Sequence, residues 1–140
     1  MIDAIISEIR PLLDFGMVVV LWLVQLVIYP SFLRVAPEAL TEWHRCYTFR
    51  VSFILIPLLF GQLGAVGWQA WHGGVADRAA LGCLLGCWGL TFGVSVPLHR
   101  RLAAGDTATA TRQALVRTNW PRTLLWTAVW ALGFAGSPTN

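Results

Sequence analysis

The stretch LLDFGMVVVLWLVQLVIYPSFL, residues 12–33, decides the fold class because Asp14 is its only charged residue. A helix that crosses the hydrocarbon core of a bilayer needs about 20 predominantly apolar residues, and this run is long enough. Similar runs follow at 51–71, 79–98 and 120–135. We therefore predict an all-α, polytopic membrane protein whose four transmembrane helices form a bundle of two antiparallel hairpins.

The composition indicates the same class of protein. The chain is 56% hydrophobic and 12% charged, whereas soluble domains average about 45–50% and about 25%. The first apolar run begins too far from a charged chain start for a signal peptide, and it has no small-residue cleavage site. We therefore expect it to remain as the first helix rather than to be removed as a signal peptide. Because no repeat or Ser/Gly-rich linker divides the sequence, residues 1–140 are predicted to form a single domain.

The arginines indicate how the helices are oriented. Most lie in or beside the segments that join helices one to two and three to four. Positive residues favour the cytoplasmic side, so both connections are expected there and both termini on the non-cytoplasmic side. This predicts an integral, multi-pass protein, which we expect in a bacterial inner membrane. The predicted cytoplasmic arginines are Arg34, Arg45, Arg50, Arg100, Arg101, Arg112, Arg117 and Arg122, while the opposite ends hold Arg10 and Arg78 with Asp3, Glu8, Asp14 and Asp77.

Two sequence features indicate partners. Basic and aromatic residues at the predicted membrane edges are explained by lipid headgroups, so membrane lipid is an expected partner and nucleic acid is not. Gly82, Gly86, Gly89 and Gly93 form a stripe of small residues along helix three. Such stripes let membrane helices approach closely, so we expect close packing within the bundle or between copies in a homo-oligomer.

One proline lies in each predicted helix: Pro30, Pro57, Pro97 and Pro121. Each lacks the amide that would bond to the carbonyl group four residues earlier, which predicts a bend. Such prolines are common in membrane helices because neighbouring groups satisfy the freed carbonyls. As a set, they could instead splay the cytoplasmic ends of the helices and open a cavity.

Polar residues from all four helices fall at one depth. Counted from the two cytoplasmic turns at about 1.5 Å per residue, they lie roughly 10–20 Å below the tips. Polar groups are costly there unless they face the interior, so we predict one cytoplasm-facing cavity. Hydrogen bonds to lipid headgroups are the alternative. The layer comprises Gln25, His44, Tyr47, Ser95, His99 and Asn119, and Tyr29, Arg122 and Trp126 share helix stripes with its members.

Three short motifs carry a resemblance to a known family: YPSF at 29–32, PLHRRL at 97–102 and TNWPRTLLW at 118–126. With the four-helix pattern of the whole chain, they resemble the anthrone-oxygenase-like proteins, small membrane proteins mostly of unknown function. The resemblance implies membrane-embedded oxygenation of a phenolic polycyclic substrate, for which no cofactor signature is established. The family often has an asparagine after the helix-three proline, where this chain has Leu98 and His99, so the resemblance does not name the substrate.

The polar layer can support an oxygenase or another oxidoreductase that acts on a hydrophobic phenolic or quinone-like small molecule. A histidine can take a proton from a phenol or an acidic carbon, and arginine with asparagine can stabilise the anion, which can react with dioxygen directly. The site needs no cofactor or holds a metal or haem between His44 and His99, although two histidines are too few for a closed zinc site. The predicted catalytic residues are His44 as base, Tyr47 to orient or donate, and Asn119 and Arg122 for the oxyanion; the predicted binding residues are Gln25, Tyr29, Trp126 and His99, the last also a second candidate base.

Two other functions fit the same residues. An arginine-lined cavity suits an oligomeric transporter or channel for a small solute or an anion. The chain could also be a non-catalytic partner subunit. Against transport, we expect the outer halves of the helices to be sealed by apolar residues, with no polar stripe that reaches the far face.

Overall fold

The structure is a computed structural model that describes residues 1–136. It contains four long helices, which we number α1 (Ile2–Ser31), α2 (Pro37–His72), α3 (Val75–Ala103) and α4 (Thr109–Gly136). No strand occurs among the described residues, so the prediction of an all-α chain is confirmed. Residues 137–140, which the single-domain prediction includes, lie outside the described part.

Three of these helices, α1, α2 and α3, are long and apolar enough to cross a membrane, as expected of an integral membrane protein. Helix α4 has 28 residues, but it carries Arg112, Arg117 and Arg122 and is less apolar than the other three. Every helix overlaps its predicted span and begins earlier. The reason is that each helix includes polar residues that precede its apolar run.

The helices pack so that α1 and α3 each contact both α2 and α4. A fully buried cluster that includes Met17, Val66, Leu84 and Trp126 joins all four helices. The outer faces carry large exposed apolar side chains such as Phe53 and Leu124. Exposed apolar surface on this scale marks a contact with membrane or with other proteins.

Two of the four prolines follow a widened helical turn. In α1 the segment Val24–Ile28 is π-helical and ends just before Pro30, and in α3 the segment Thr91–Ser95 is π-helical and ends just before Pro97. A π turn changes the path of the helix where the proline ring would clash with an earlier carbonyl group. Helices α2 and α4 continue as regular α-helix through their prolines.

Arg112 connects α4 to the turn between α1 and α2. Its Nη1 donates to the carbonyl oxygen of Phe32 at 3.1 Å and to that of Val35 at 3.4 Å. Carbonyl groups at the end of a helix lack intrahelical donors and favour a nearby positive charge. Since Arg112 is buried, it acts as a structural link and not only as a cytoplasmic surface charge.

We expect Arg112→Ala to lower the free energy of unfolding by about 1–3 kcal/mol, because the Phe32 carbonyl group loses its donor in a buried position. Arg117→Ala is the matched control, since Arg117 lies on the same helix and is exposed. We expect that control to change stability by no more than about 0.5 kcal/mol. Unfolding in detergent micelles measures both, and equal stability of the two variants would contradict the structural role of Arg112.

The turn between α3 and α4 depends on Gly105 and Asp106. Gly105 has a φ of +93°, in the left-handed region that glycine adopts without steric cost. The carboxylate of Asp106 accepts hydrogen bonds from Thr111 Oγ1 and Arg101 Nε, both at 2.9 Å. These contacts lower the pKa of the Asp106 carboxyl group. The ionised carboxylate therefore links the end of α3 to the start of α4.

The glycine stripe of α3 faces outward. Gly82, Gly86, Gly89 and Gly93 are all exposed. A Cβ atom added at Gly86 would lie 3.6 Å from Leu125, an ordinary contact, and a Cβ atom added at the other three would meet nothing within 4 Å. Close packing within the described part of the chain is therefore not the role of this stripe. The other predicted role, a contact between copies of the chain, is compatible with the exposed position of the stripe.

Candidate functional site

A cavity of about 240 Å³ lies among the four helices, beside both π-helical turns. Four residues of the predicted site line it: Tyr29, Tyr47, His99 and Arg122. Ser95, from the π-helical turn of α3, is a further polar group of the wall, and most of the remaining wall is apolar. Apolar walls with a few convergent polar groups are typical of small-molecule sites.

Arg122 is buried in this wall, with only 6% of the residue exposed. Its Nη1 donates to Ser95 Oγ at 2.6 Å, and the guanidinium carbon lies 5.6 Å from the centre of the Trp126 ring. The Nε atom has no hydrogen-bond partner, and no carboxylate of residues 1–136 forms an ion pair with this guanidinium. A buried charge without a counter-charge is costly. The cavity is therefore electrostatically suited to an anion.

Tyr29, His99 and His44 form a hydrogen-bonded chain that begins at the cavity. The Tyr29 hydroxyl lies 2.8 Å from His99 Nε2, and His99 Nδ1 lies 2.7 Å from His44 Nε2. A neutral imidazole has one donor nitrogen and one acceptor nitrogen, so the chain runs in one direction at a time. In one direction, Tyr29 donates to His99 and His99 donates to His44. If the Tyr29 oxygen then accepts a proton from the cavity, the Tyr29 proton moves to His99 and the His99 proton moves to His44. The chain can thus carry a proton from the cavity to His44.

The other predicted site residues lie behind the cavity wall. Asn119 Nδ2 donates to Gln25 Oε1 at 2.9 Å across the contact between α4 and α1, and Asn119 is not part of the cavity lining. Gln25 and Trp126 are not part of the lining either, and His44 reaches it only through His99. These four residues therefore do not line the cavity, and their predicted direct contacts with a ligand stay a prediction. Their common depth was predicted by counting residues from the two turns. Such a count does not specify how each helix is rotated about its axis.

The histidine pair does not fit a metal or haem between its rings. The facing nitrogens, Nε2 of His44 and Nδ1 of His99, are 2.7 Å apart and hydrogen-bond directly. A zinc ion lies about 2.0–2.1 Å from each nitrogen, which in tetrahedral geometry requires the nitrogens to be about 3.3 Å apart. Among residues 1–136, no group of three or more His, Cys, Asp or Glu side chains could hold a metal ion. We therefore assign no metal chemistry to this pair.

A second polar cluster, which is not among the predicted site residues, is buried at the opposite end of the helices. The Arg10 guanidinium forms ion pairs with Asp14 at 3.3 Å and with Asp77 at 2.8 Å, and it also hydrogen-bonds to Gln69. The exposed fractions of the three charged residues are 2%, 1% and 5%. One signal could have identified the cluster: Asp14 lies within an apolar run, four residues after Arg10, and ionisable residues within a membrane span normally face the interior.

Gln62 connects this second cluster to the wall of the cavity. Its Nε2 donates to Asp14 Oδ1 at 2.6 Å, and its Oε1 accepts from Trp126 Nε1 at 2.7 Å. The ring of Trp126 in turn lies beneath the Arg122 guanidinium. The expectation that apolar residues seal the outer half is therefore wrong, because α1, α2 and α3 each carry buried polar groups there: Arg10 and Asp14, Gln62, and Asp77.

Comparison of the chain with family models, with curated proteins and with solved structures found no match. The resemblance to the anthrone-oxygenase-like proteins therefore rests on the three short motifs and the helix pattern. Each motif contributes one residue to the cavity wall: Tyr29, His99 and Arg122.

Proposed function

We propose that all four helices cross the membrane, with the α1–α2 and α3–α4 turns on the cytoplasmic side. The charges of α4 do not argue against a crossing, because Arg112 bonds to the α1–α2 turn and Arg122 is buried. Exposed arginines at the two turns and on the helix segments beside them support this orientation, which makes both termini non-cytoplasmic. They are Arg34, Arg45, Arg50, Arg100, Arg101 and Arg117.

Reporter fusions test this topology. Before Met1 or after Asn140, we expect activity from a reporter that functions outside the cytoplasm and none from a reporter that functions in the cytoplasm. After Gly105, we expect the reverse. Cytoplasmic activity at both termini would reverse the orientation. Termini on opposite sides would mean that α4 does not cross.

We propose further that the protein is a membrane-embedded oxidoreductase of the oxygenase type, which binds a lipid-soluble phenolic or quinone-like compound as its anion. The observation that carries this proposal is Arg122, a buried guanidinium without a carboxylate partner among residues 1–136, at a cavity that Tyr29 also lines. A bound oxyanion would supply the missing negative charge. The apolar wall and the ring of Tyr47 suit an aromatic body.

The proposed reaction converts an acidic methylene group of a phenolic ring system into a carbonyl group. Tyr29 accepts a proton from the substrate while its own proton passes to His99 and the His99 proton passes to His44. The resulting carbanion is delocalised onto a conjugated carbonyl oxygen of the ring system, and that oxyanion pairs with Arg122. Dioxygen is the oxidant: one of its oxygen atoms becomes the carbonyl oxygen, and the other leaves as water with the two hydrogen atoms of the methylene group.

Arg122→Gln is expected to weaken binding of a hydroxylated anthrone about ten- to a hundredfold, because a hydrogen bond to a charged group contributes about 1.5–3 kcal/mol. Arg122→Lys should restore only part of the affinity, since lysine keeps the charge but lacks the planar fork. Quenching of tryptophan fluorescence in anaerobic lipid nanodiscs measures binding, and oxygen consumption measures turnover. Arg117→Gln is the matched control. Parental affinity in both Arg122 variants, or no saturable binding by the parent protein, would contradict the proposal.

A transporter or channel for a small solute or anion is the second candidate function. The polar contacts from Arg10 through Gln62 and Trp126 to Arg122 favour it, because they continue beyond the cavity. Flux of anions or protons into proteoliposomes that depends on Arg122 and Asp14, without turnover of a phenolic compound, would support transport in place of catalysis. A homo-oligomer formed through the exposed glycine stripe would suit either function.

A further inference from the structure

We propose that the ligand of the cavity carries an apolar tail, which leaves between α2 and α3 and lies on the outer face of α2. This inference rests on the proposed function of the Arg122 site and specifies its substrate class. The substrate would be a phenolic or quinol head group with an alkyl or prenyl tail that enters from the lipid.

The seam between α2 and α3 is closed at two levels and loosely packed between them. At one level the rings of Phe60 and Trp88 lie 5.5 Å apart, and at the other the rings of His44 and His99 lie 5.0 Å apart. Residues 45–61 of α2 include no fully buried residue. The cavity lies along this stretch, since Tyr47, Thr48, Val51, Ser52 and Leu55 of α2 line it.

An apolar groove of about 350 Å³ on α2 adjoins the cavity, and Ser52 lines both. At about 100° of rotation per residue, the groove residues lie on the side of α2 that also carries Phe60. Phe60 faces α3 through its contact with Trp88, so the groove opens beside the seam. The groove is lined by Phe49, Ser52, Phe53, Ile56 and Pro57.

Two of the hydroxyl groups that α2 contributes to this passage, those of Ser52 and Thr48, do not obstruct an apolar chain. Ser52 Oγ donates to the carbonyl oxygen of Thr48 at 2.7 Å, and Thr48 Oγ1 donates to the carbonyl oxygen of His44 at 2.9 Å. Both hydroxyl protons are therefore used within α2. An alkyl chain that passes them does not leave either donor unsatisfied.

The polarity changes along the path from the cavity to the groove. The inner end presents the Arg122 guanidinium and the Tyr29 hydroxyl, whereas the groove presents exposed apolar side chains such as Phe49 and Phe53. A ligand that complements both ends is an amphiphile with its oxyanion at Arg122 and its tail against the phenylalanines. Because the groove faces the region of the lipid chains, such a ligand reaches the cavity without passing through water.

Photo-crosslinking in phosphatidylcholine nanodiscs tests the tail path. The probe is an octylphenol with a diazirine at the end of the tail, and mass spectrometry locates the label. We expect the probe to label residues 49–57, and we expect excess phenol without a tail to reduce this labelling. The labelling should fall about tenfold in Arg122→Gln. It should fall as much in Ser52→Phe, because the larger side chain fills the junction between the cavity and the groove. Ile54→Phe is the matched control, since Ile54 is exposed on another side of the same helix. The exposed face of α1 around Phe15 reports random contacts with lipid-dissolved probe.

The outcomes separate this inference from the proposed function. Labelling of residues 49–57 no stronger than that around Phe15, or equal labelling in Ser52→Phe and Ile54→Phe, would overturn the tail path. If phenol without a tail still binds in an Arg122-dependent way, the proposed function stands and only the tail path fails. If neither probe binds saturably, the proposed function fails and the tail path with it. Should Arg122→Gln not fold, the comparison of Ser52→Phe with Ile54→Phe decides alone.

Discussion

Arg10→Met is expected to lower the free energy of unfolding by about 3–5 kcal/mol. Arg10 is the cation that Asp14 and Asp77 share, and all three side chains are buried. Without the guanidinium, two carboxylates remain close together in the interior with no counter-charge. Asp77 also accepts a hydrogen bond from the Gly74 amide at the start of α3, so the loss extends to that turn.

Arg78→Met is the matched control for this prediction, because Arg78 lies at the same end of the molecule but is exposed. We expect it to change stability by no more than about 0.5 kcal/mol. Arg10→Met combined with Asp14→Asn should cost less than Arg10→Met alone, since a neutral amide needs no counter-charge. Unfolding in mixed micelles, followed by tryptophan fluorescence, measures all of these variants. If Arg10→Met proves as stable as the control, the cluster is solvated and not buried.

The helical fold could be predicted from the sequence because length and apolar character are local properties. The run at 12–33 indicates a membrane helix without knowledge of its neighbours. The start of α4 could not be predicted in the same way. Its predicted span begins at residue 120, whereas the helix begins at Thr109, because a polar segment is held against the α1–α2 turn through Arg112.

The candidate site was harder to predict because it depends on the rotation of each helix. A π-helical turn adds a residue to the turn and so rotates every later side chain relative to a regular helix. One such turn, Val24–Ile28, contains Gln25 and precedes Tyr29. The periodicity of a regular α-helix placed Gln25 and Tyr29 on the same stripe of α1. In the structure, Tyr29 lines the cavity, whereas Gln25 hydrogen-bonds to Asn119 behind the cavity wall.

The second cluster depends on pairing between distant segments. Asp14 and Gln62 are visible in the sequence as single polar residues within apolar runs, which is a signal for an inward-facing position. Their hydrogen bond joins α1 to α2 over 48 residues of sequence. No periodicity within one helix identifies such a partner, so the sequence could indicate that these residues face inward but not what they contact.

Removal of the proton path should abolish most turnover while ligand binding persists. Tyr29→Phe deletes the hydroxyl that lies between the cavity and His99, and the ring remains to fill the same space. General acid–base groups typically contribute about 10²–10⁴-fold to a rate, and we expect a loss of oxygen consumption in that range. Arg122 is unchanged in this variant, so affinity for a hydroxylated anthrone should remain within about threefold, less than 1 kcal/mol.

His99→Phe should lose turnover to the same extent as Tyr29→Phe, because either change breaks the chain before it reaches His44. The double variant should then be no slower than either single variant, since groups that act as one unit do not contribute additively. Thr91→Val is the control: Thr91 also lines the cavity, but its hydroxyl donates to the carbonyl oxygen of Cys87 within α3 and takes no part in the chain. Anaerobic binding and oxygen consumption in the same nanodisc preparations measure the two quantities separately. Equal turnover in Tyr29→Phe and Thr91→Val, or additive losses in the double variant, would show that Tyr29 and His99 do not pass a proton between them during the reaction.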